Sequence, residues 1–372
     1  MNNIQKLAEL GQSIWIDNIQ RKMLTGGGLQ AMIDEGLLGM TSNPTIFEKA
    51  IGGSSDYDEA MRPLVAQGAT AEQIYDALTI EDVGMAADIF RQVFDRTRGK
   101  DGYVSIEVSP KLAHDTAGTL ADARRLWQTL KRPNVMIKIP ATKEGLPAIE
   151  QALTDGININ ITLMFSMNHY LAVAETFLRA LEARVTAGQP IDHLASVASF
   201  FVSRVDTLLD TKLEQIVKAE GSNAGQAAAL LGRAAVANSQ VVYGKYLELF
   251  GGDRFKTLAA RGVKPQRVLW ASTSTKNPKY RDVLYVDTLI GPDTVNTVPL
   301  DTYAAILDHA VAERTVDRDL EVAHQVVAVL KAMGLDLNEA GEQLSTEGVD
   351  KFTKSFDGLL KVIEQKRTAL VK

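Results

Sequence analysis

The sequence predicts an α/β fold, a closed (β/α)₈ barrel with additional helices. Three observations predict it: eight short β-like runs in order along the chain, helix-periodic stretches between them, and no compositional break that would divide it. The runs are residues 13–17, 37–41, 103–108, 134–139, 157–163, 195–201, 267–272 and 294–298. Strands that alternate with helices pair in parallel, and eight is the number that closes a barrel.

The intervening stretches carry apolar stripes at helical spacing. Leu120, Ala123, Leu126, Trp127 and Leu130 form one, stopped by Pro133, and Leu171, Ala174, Phe177, Leu178 and Leu181 form another. Phe352, Phe356, Leu359, Leu360 and Ile363 share a face near the end of the chain, which predicts a C-terminal helix docked on the barrel by simple packing. Residues 44–102 and 206–266 exceed what one crossover helix needs, as does 314–372, and all three read as extra helices. Nothing in them is rich enough in Pro or Gly to be a linker, so a single domain spanning 1–372 is expected.

Composition narrows the function. Apolar types make up 45% of the residues and charged types 23%, far from the signature of disorder. The net charge is −6 with Lys and Arg scattered, which argues against nucleic-acid binding. Cysteine is absent, which removes disulfides, thiolate metal sites and cysteine nucleophiles together. The 5 histidines lack the spacing of a metal motif. Gly26, Gly27 and Gly28 followed by Leu29-Gln30-Ala31 match a dinucleotide pattern, but not between a strand and a helix, so they read as a loop and no nicotinamide cofactor is expected. The first residues lack the basic and apolar regions of a signal peptide, and no apolar run approaches the ~20 residues of a membrane span, so a cytoplasmic protein is expected.

The chemistry lies in what each strand turns inward, since successive side chains point to opposite faces. In residues 134–139, Val135, Ile137 and Ile139 suit packing under the outer helices, which leaves Asn134, Met136 and Lys138 facing the barrel interior. A buried lysine is costly, because desolvation penalises the ammonium, and the neutral amine that burial favours is a nucleophile for ketones. The protonated imine it forms is an electron sink for breaking a carbon–carbon bond. Tyr103, Ser105 and Glu107 face inward opposite Val104, Ile106 and Val108. Ile157, Ile159, Ile161 and Leu163 alternate with Asn158, Asn160 and Thr162, and Trp15 and Asp17 face inward opposite Ile14 and Ile16. Acids, amides and a lysine thus converge near the carboxyl ends of the strands, where barrel enzymes build their sites. Ser199, Arg204, Ser272 and Lys276, on the later strands, are candidates for holding a phosphate.

Six motifs in order, Trp15-Ile16-Asp17, Thr41-Ser42-Asn43-Pro44, Ser105-Ile106-Glu107-Val108, Ile137-Lys138-Ile139-Pro140-Ala141-Thr142, Asn160-Ile161-Thr162-Leu163-Met164-Phe165-Ser166 and Ser199-Phe200-Phe201-Val202-Ser203-Arg204, resemble the transaldolases, in the longer bacterial form of that family. The resemblance implies a barrel of the class I aldolase type. It implies transfer of a dihydroxyacetone unit from sedoheptulose 7-phosphate to glyceraldehyde 3-phosphate, giving erythrose 4-phosphate and fructose 6-phosphate in the pentose phosphate pathway, without cofactor or metal. Phosphorylated ketoses and aldoses are then the ligands, and the protein a monomer or homodimer.

By the same resemblance Lys138 is the Schiff-base nucleophile, Glu107 acts as acid and base through a water held by Thr162, and Asp17 takes the hydroxyl proton as the bond breaks. Asn43 and Asn160 hold substrate hydroxyls, Phe201 favours transfer, and Ser199 and Arg204 hold the phosphate. The strand-seven motif departs from the Ala-Ser-Phe-Arg of shorter members: it reads Ala271-Ser272-Thr273-Ser274-Thr275-Lys276, with Lys276 standing two residues beyond the missing arginine. Two rival readings are an aldolase of the fructose-6-phosphate aldolase kind, which releases its fragment without an acceptor, and a catalytically silent barrel that binds sugar phosphates.

Overall fold

The computed structural model describes residues 1–370; Val371 and Lys372, the end of the expected stretch 314–372, lie outside the described residues. Strands β1 (Gln12–Asp17), β2 (Gly39–Thr41), β3 (Val104–Glu107), β4 (Val135–Pro140), β5 (Ile159–Met164), β6 (Ser196–Phe201), β7 (Arg267–Ala271) and β8 (Thr294–Val298) form a closed barrel in chain order. All pairs are parallel, and β8 closes on β1 with Ile14 beside Asn296.

Each strand falls within or across its predicted run, but β2 to β6 begin one or two residues late. At β3 the cause is Gly102, whose φ of +84° turns the chain into the barrel; a Cβ there would meet the Phe94 backbone nitrogen at 2.4 Å. At β4 and β5 it is asparagine. Asn134 Nδ2 donates to Gly102 O (2.9 Å), and Asn158 Nδ2 donates to Pro133 O (2.9 Å) while its Oδ1 accepts from Ala195 N (2.9 Å). These side chains satisfy backbone groups where the ladder has not yet started. The alternation expected through Leu163 also breaks. The β5–β6 register shifts between Ile161 and Met164, and Leu163 takes a left-handed φ of +61°, a conformation that costs a residue with a Cβ on the order of 1 kcal/mol or more.

The interior is filled in layers. At the bottom, Arg267 pairs with Asp101 (2.9 Å) and donates to Ser13 Oγ (2.8 Å), while Trp15 Nε1 donates to Asp101 Oδ1 (3.1 Å). Above them Ser199 Oγ donates to Asn160 Oδ1 (2.6 Å) and Asn160 Nδ2 donates to Ser105 Oγ (3.0 Å). Outward residues such as Ile137, Ile139, Ile159 and Ile161 are fully buried under the helical shell, as expected when a parallel sheet is covered on both faces.

The long intervals are helical as expected. Residues 44–102 hold helices Pro44–Gly52, Asp58–Ala66 and Ala71–Arg96, and the last stretch holds Leu320–Ala332 and Leu337–Leu370. The predicted stripe of the C-terminal helix packs, with Phe356 edge-on to Tyr75 at 5.1 Å. A second seam, of small residues seven apart, has the helix lie close over the barrel mouth. A Cβ on Gly341 would stand 2.6 Å from Ser166 Cβ, one on Gly348 would stand 2.9 Å from Leu163 Cδ2, and Ser355 Oγ accepts a hydrogen bond from Thr45 at 2.8 Å. Seven residues are close to two helical turns, so the three lie on one line. Lys366 fastens the far end, donating to Ser54 O (2.6 Å) and Asp58 Oδ1 (2.7 Å).

Candidate active site

The strand register sets the centre of the site. Glu107 lies beside Lys138, and Lys138 beside Asn160, on three adjacent strands. Inward-facing neighbours on adjacent parallel strands meet across the lumen wall, and Lys138 Nζ stands 3.3 Å from Glu107 Oε2 and 3.3 Å from the carbonyl oxygen of Ser42. Lys138 is 5% exposed and Glu107 7%, so an ionisable pair sits where water is scarce. From β1, Asp17 faces the same space; its Oδ1 accepts from Thr41 (2.7 Å), which bonds in turn to Thr297 (2.7 Å).

Burial pushes the Glu107 carboxyl above the ordinary range, against the opposing pull of the Lys138 ammonium and with help from the Asp17 charge. Burial likewise raises Asp17, against Lys138 and the Thr41 hydrogen bond. Two carboxyls that hold protons more readily than usual can exchange them with a bound ligand.

Lys138 opens onto a cavity of about 480 Å³ at the carboxyl ends of the strands, lined also by Asp17, Asn43, Thr162, Ser199, Phe201, Arg204, Ser272 and Lys276. Thr162 Oγ1 is buried and makes no hydrogen bond among the described residues. A buried hydroxyl without a protein partner is a place for a water or a ligand hydroxyl. Asn43 caps the Pro44–Gly52 helix through Oδ1, which accepts from Ile46 N at 3.1 Å, leaving its amide NH₂ for the cavity. Phe201 leans on Phe165 at 5.1 Å and carries the Arg204 guanidinium over its ring at 5.1 Å.

The structure thus brings nine of the predicted residues to one cavity wall. Glu107 and Asn160 do not line it: Glu107 stands behind Lys138, and Asn160 is fully buried between Ser105 and Ser199. Asn160 therefore orients Ser199 from below, with one amide hydrogen left over.

Residues that sequence reasoning passed over also line the cavity, Asp301 and Thr297 among them. Phe352, read as packing alone, places its ring 5.5 Å from Lys138 Nζ, and Lys49 and Lys351 stand at the rim. Phe352 belonged to the apolar stripe that predicted docking, so the signal was there; the two lysines carried none.

The segment after β7 is anchored to the Ser203–Lys218 helix by two carboxyls. Asp206 accepts from Tyr285 (2.8 Å) and Ala235 N (2.7 Å), and Asp210 accepts from Tyr280 (2.7 Å). Burial pushes Asp206 up to about 7. Unfolded, the group loses its proton near 3.8; folded, it keeps it to about 7. Its contribution to stability is therefore greatest below the lower value, declines between the two and is flat above. At about 1.4 kcal/mol per unit the decline is about 4 kcal/mol. Asp206→Asn is expected to lose this slope: the difference in urea midpoint between variant and wild type should move in the variant's favour as pH rises through the window. A constant difference would refute it.

A closed parallel barrel with a buried lysine between two carboxyls, opening onto a cavity at the carboxyl ends of its strands, has the equipment of the enzymes that work through a lysine imine. A family model described as Transaldolase/Fructose-6-phosphate aldolase matches residues 14–363. A transaldolase of Saccharopolyspora erythraea is 47% identical over 98% of this chain and 97% of its own length. Those of Trichodesmium erythraeum and Acidothermus cellulolyticus are 44% and 47% identical over 98% and 96% of this chain and 97% and 94% of their own. The chain belongs to the transaldolase family.

Among the described residues no helix is long and apolar enough to cross a membrane, and no cluster of three His, Cys, Asp or Glu side chains could hold a metal ion.

Proposed function

We propose that the protein is a transaldolase that moves a dihydroxyacetone unit from sedoheptulose 7-phosphate to glyceraldehyde 3-phosphate, in the non-oxidative pentose phosphate pathway, with Lys138 as its imine-forming residue. The observation that carries the residue roles is the Lys138 amine 3.3 Å from Glu107, beside the unpartnered Thr162 hydroxyl.

In this reading the Lys138 amine adds to the ketose C2 carbonyl, and the carbinolamine oxygen leaves as water. A water held on Thr162 relays the proton from Glu107. Asp17 takes the C4 hydroxyl proton, the C3–C4 electrons pass into the imine, and erythrose 4-phosphate departs, leaving an enamine on Lys138. The enamine C3 attacks the aldehyde of glyceraldehyde 3-phosphate, Asp17 returns its proton to the new hydroxyl, and water hydrolyses the imine to free fructose 6-phosphate. The imine nitrogen is itself the electron sink, so the chemistry needs no cofactor. Asn43 and Asn160, the latter through its remaining amide hydrogen, hold hydroxyls, and Ser199 and Arg204, with Ser272 and Lys276, hold the phosphate. The cytoplasm as location, a single folding unit, and a monomer or homodimer as assembly belong to the same reading.

Phe201 supports transfer over simple release, since its ring, backed by that of Phe165 at 5.1 Å, gives the cavity an apolar wall that disfavours water. Supplied with fructose 6-phosphate alone, the enzyme is expected to release little glyceraldehyde 3-phosphate, and adding erythrose 4-phosphate should raise its appearance by a factor on the order of 10². Equal rates with and without acceptor would make it an aldolase; no turnover in either case would favour the silent barrel.

A further inference from the structure

Four cations face the mouth of the cavity: Arg204, Lys276, Lys49 on the Pro44–Gly52 helix and Lys351 on the C-terminal helix. Among the described residues none of the four has a carboxylate within ion-pairing distance, and their one side-chain hydrogen bond runs from Lys276 to Ser274 Oγ (2.6 Å). Elsewhere most arginines are paired. Acids do stand nearby, Glu347 toward Arg204, and Glu48 and Asp350 beside Lys351, but outside that distance. Lys276 is held below the ordinary lysine range by burial and then by Lys351, Arg204 and Lys49, so the four feel one another. Asp17 and Asp301 line the same cavity but pair with none of the four, and cations gathered at one mouth and left unpaired suit an anion.

The four divide by depth. Arg204 is half-buried, its guanidinium over Phe201 and 3.4 Å from where a Gly348 Cβ would stand. Lys276, on the segment after β7, is exposed as well, and Lys49 and Lys351 are exposed at the rim, on elements outside the barrel strands. A dianionic phosphate needs two of these charges, not four. The proposed reaction presents phosphates at two distances from Lys138: with C2 fixed as the imine, the phosphate of a seven-carbon ketose lies one carbon further out than that of a six-carbon ketose.

We propose that Lys49 and Lys351 are specificity-determining residues that hold the phosphate of the longer, seven-carbon donor at the rim, while Arg204 holds that of the six-carbon donor deeper in the mouth. This rests on the transaldolase reading and deepens it. The C-terminal helix would then supply substrate recognition as well as a cover.

The test is the double variant Lys49→Gln with Lys351→Gln, assayed with each ketose phosphate against its matching acceptor aldehyde. KM for sedoheptulose 7-phosphate is expected to rise about tenfold more than KM for fructose 6-phosphate, the scale of one lost charge-assisted contact. kcat should fall by less than KM rises, and Lys351→Arg alone should keep the wild-type donor ratio. An equal rise for both donors, or no rise, overturns the length discrimination. Absence of any adduct on the wild type after borohydride with fructose 6-phosphate would instead sink the transaldolase reading itself.

Discussion

Lys138→Ala is expected to leave no measurable transfer and no covalent adduct. Incubated with fructose 6-phosphate and reduced with borohydride, the wild type should gain the mass of one reduced dihydroxyacetone unit, and the variant nothing. Removing the residue on which a covalent path depends costs a factor on the order of 10⁵ in kcat. Loss by unfolding is a poor alternative, because the variant takes away a buried charge whose neighbours adapt: without the ammonium that opposes their protonation, Glu107 and Asp17 hold their protons still more readily. A variant that keeps the wild-type fold by circular dichroism yet still carries the adduct would move the imine to another lysine.

Asp17→Asn separates imine formation from bond cleavage. Asp17 reaches the cavity from β1, across the lumen from Lys138 on β4, and its Oδ1 is already fixed by Thr41. An amide keeps that hydrogen bond but cannot take a proton, so cleavage should slow by roughly 10²–10⁴-fold while condensation on Lys138 continues. Borohydride should then trap the intact hexose phosphate on the protein in place of the three-carbon unit. Wild-type proportions of the three-carbon adduct would show that some other group takes the C4 hydroxyl proton.

What could be read from the sequence follows from where side chains are forced to point. A strand buried on both faces still alternates, so Lys138 and Glu107 betrayed themselves as ionisable residues in the inward register between β-branched neighbours, and Asp17 as one that follows Ile14 and Ile16 in the same alternation. Neutral polar residues gave less. Asn134 and Asn158 occupy the same inward register as Lys138 and Thr162, yet they hold neighbouring backbone at strand starts. Only the depth along the barrel separates the two roles, and alternation does not encode depth. Leu163 was misplaced because nothing about a leucine announces a left-handed backbone. Lys49 and Lys351 were illegible for a different reason: each occupies a solvent-facing position on an amphipathic helix, where lysine is ordinary, and the two meet only because residues about 300 positions apart in sequence pack together, as Thr45 and Ser355 do.

The small-residue seam of the C-terminal helix ties two equilibria together. Since Phe352 and Lys351 form part of the cavity wall, a ligand that touches them binds only to molecules whose helix is seated, and its binding free energy is added to the seating equilibrium. Saturating sugar phosphate should therefore slow amide exchange along Leu337–Leu370 more than in the outer barrel helices. The relation runs both ways: a bulkier residue at Gly348, whose Cβ would crowd Leu163 at 2.9 Å and Arg204 at 3.4 Å, would weaken substrate affinity by unseating a fraction of the molecules and by displacing Arg204.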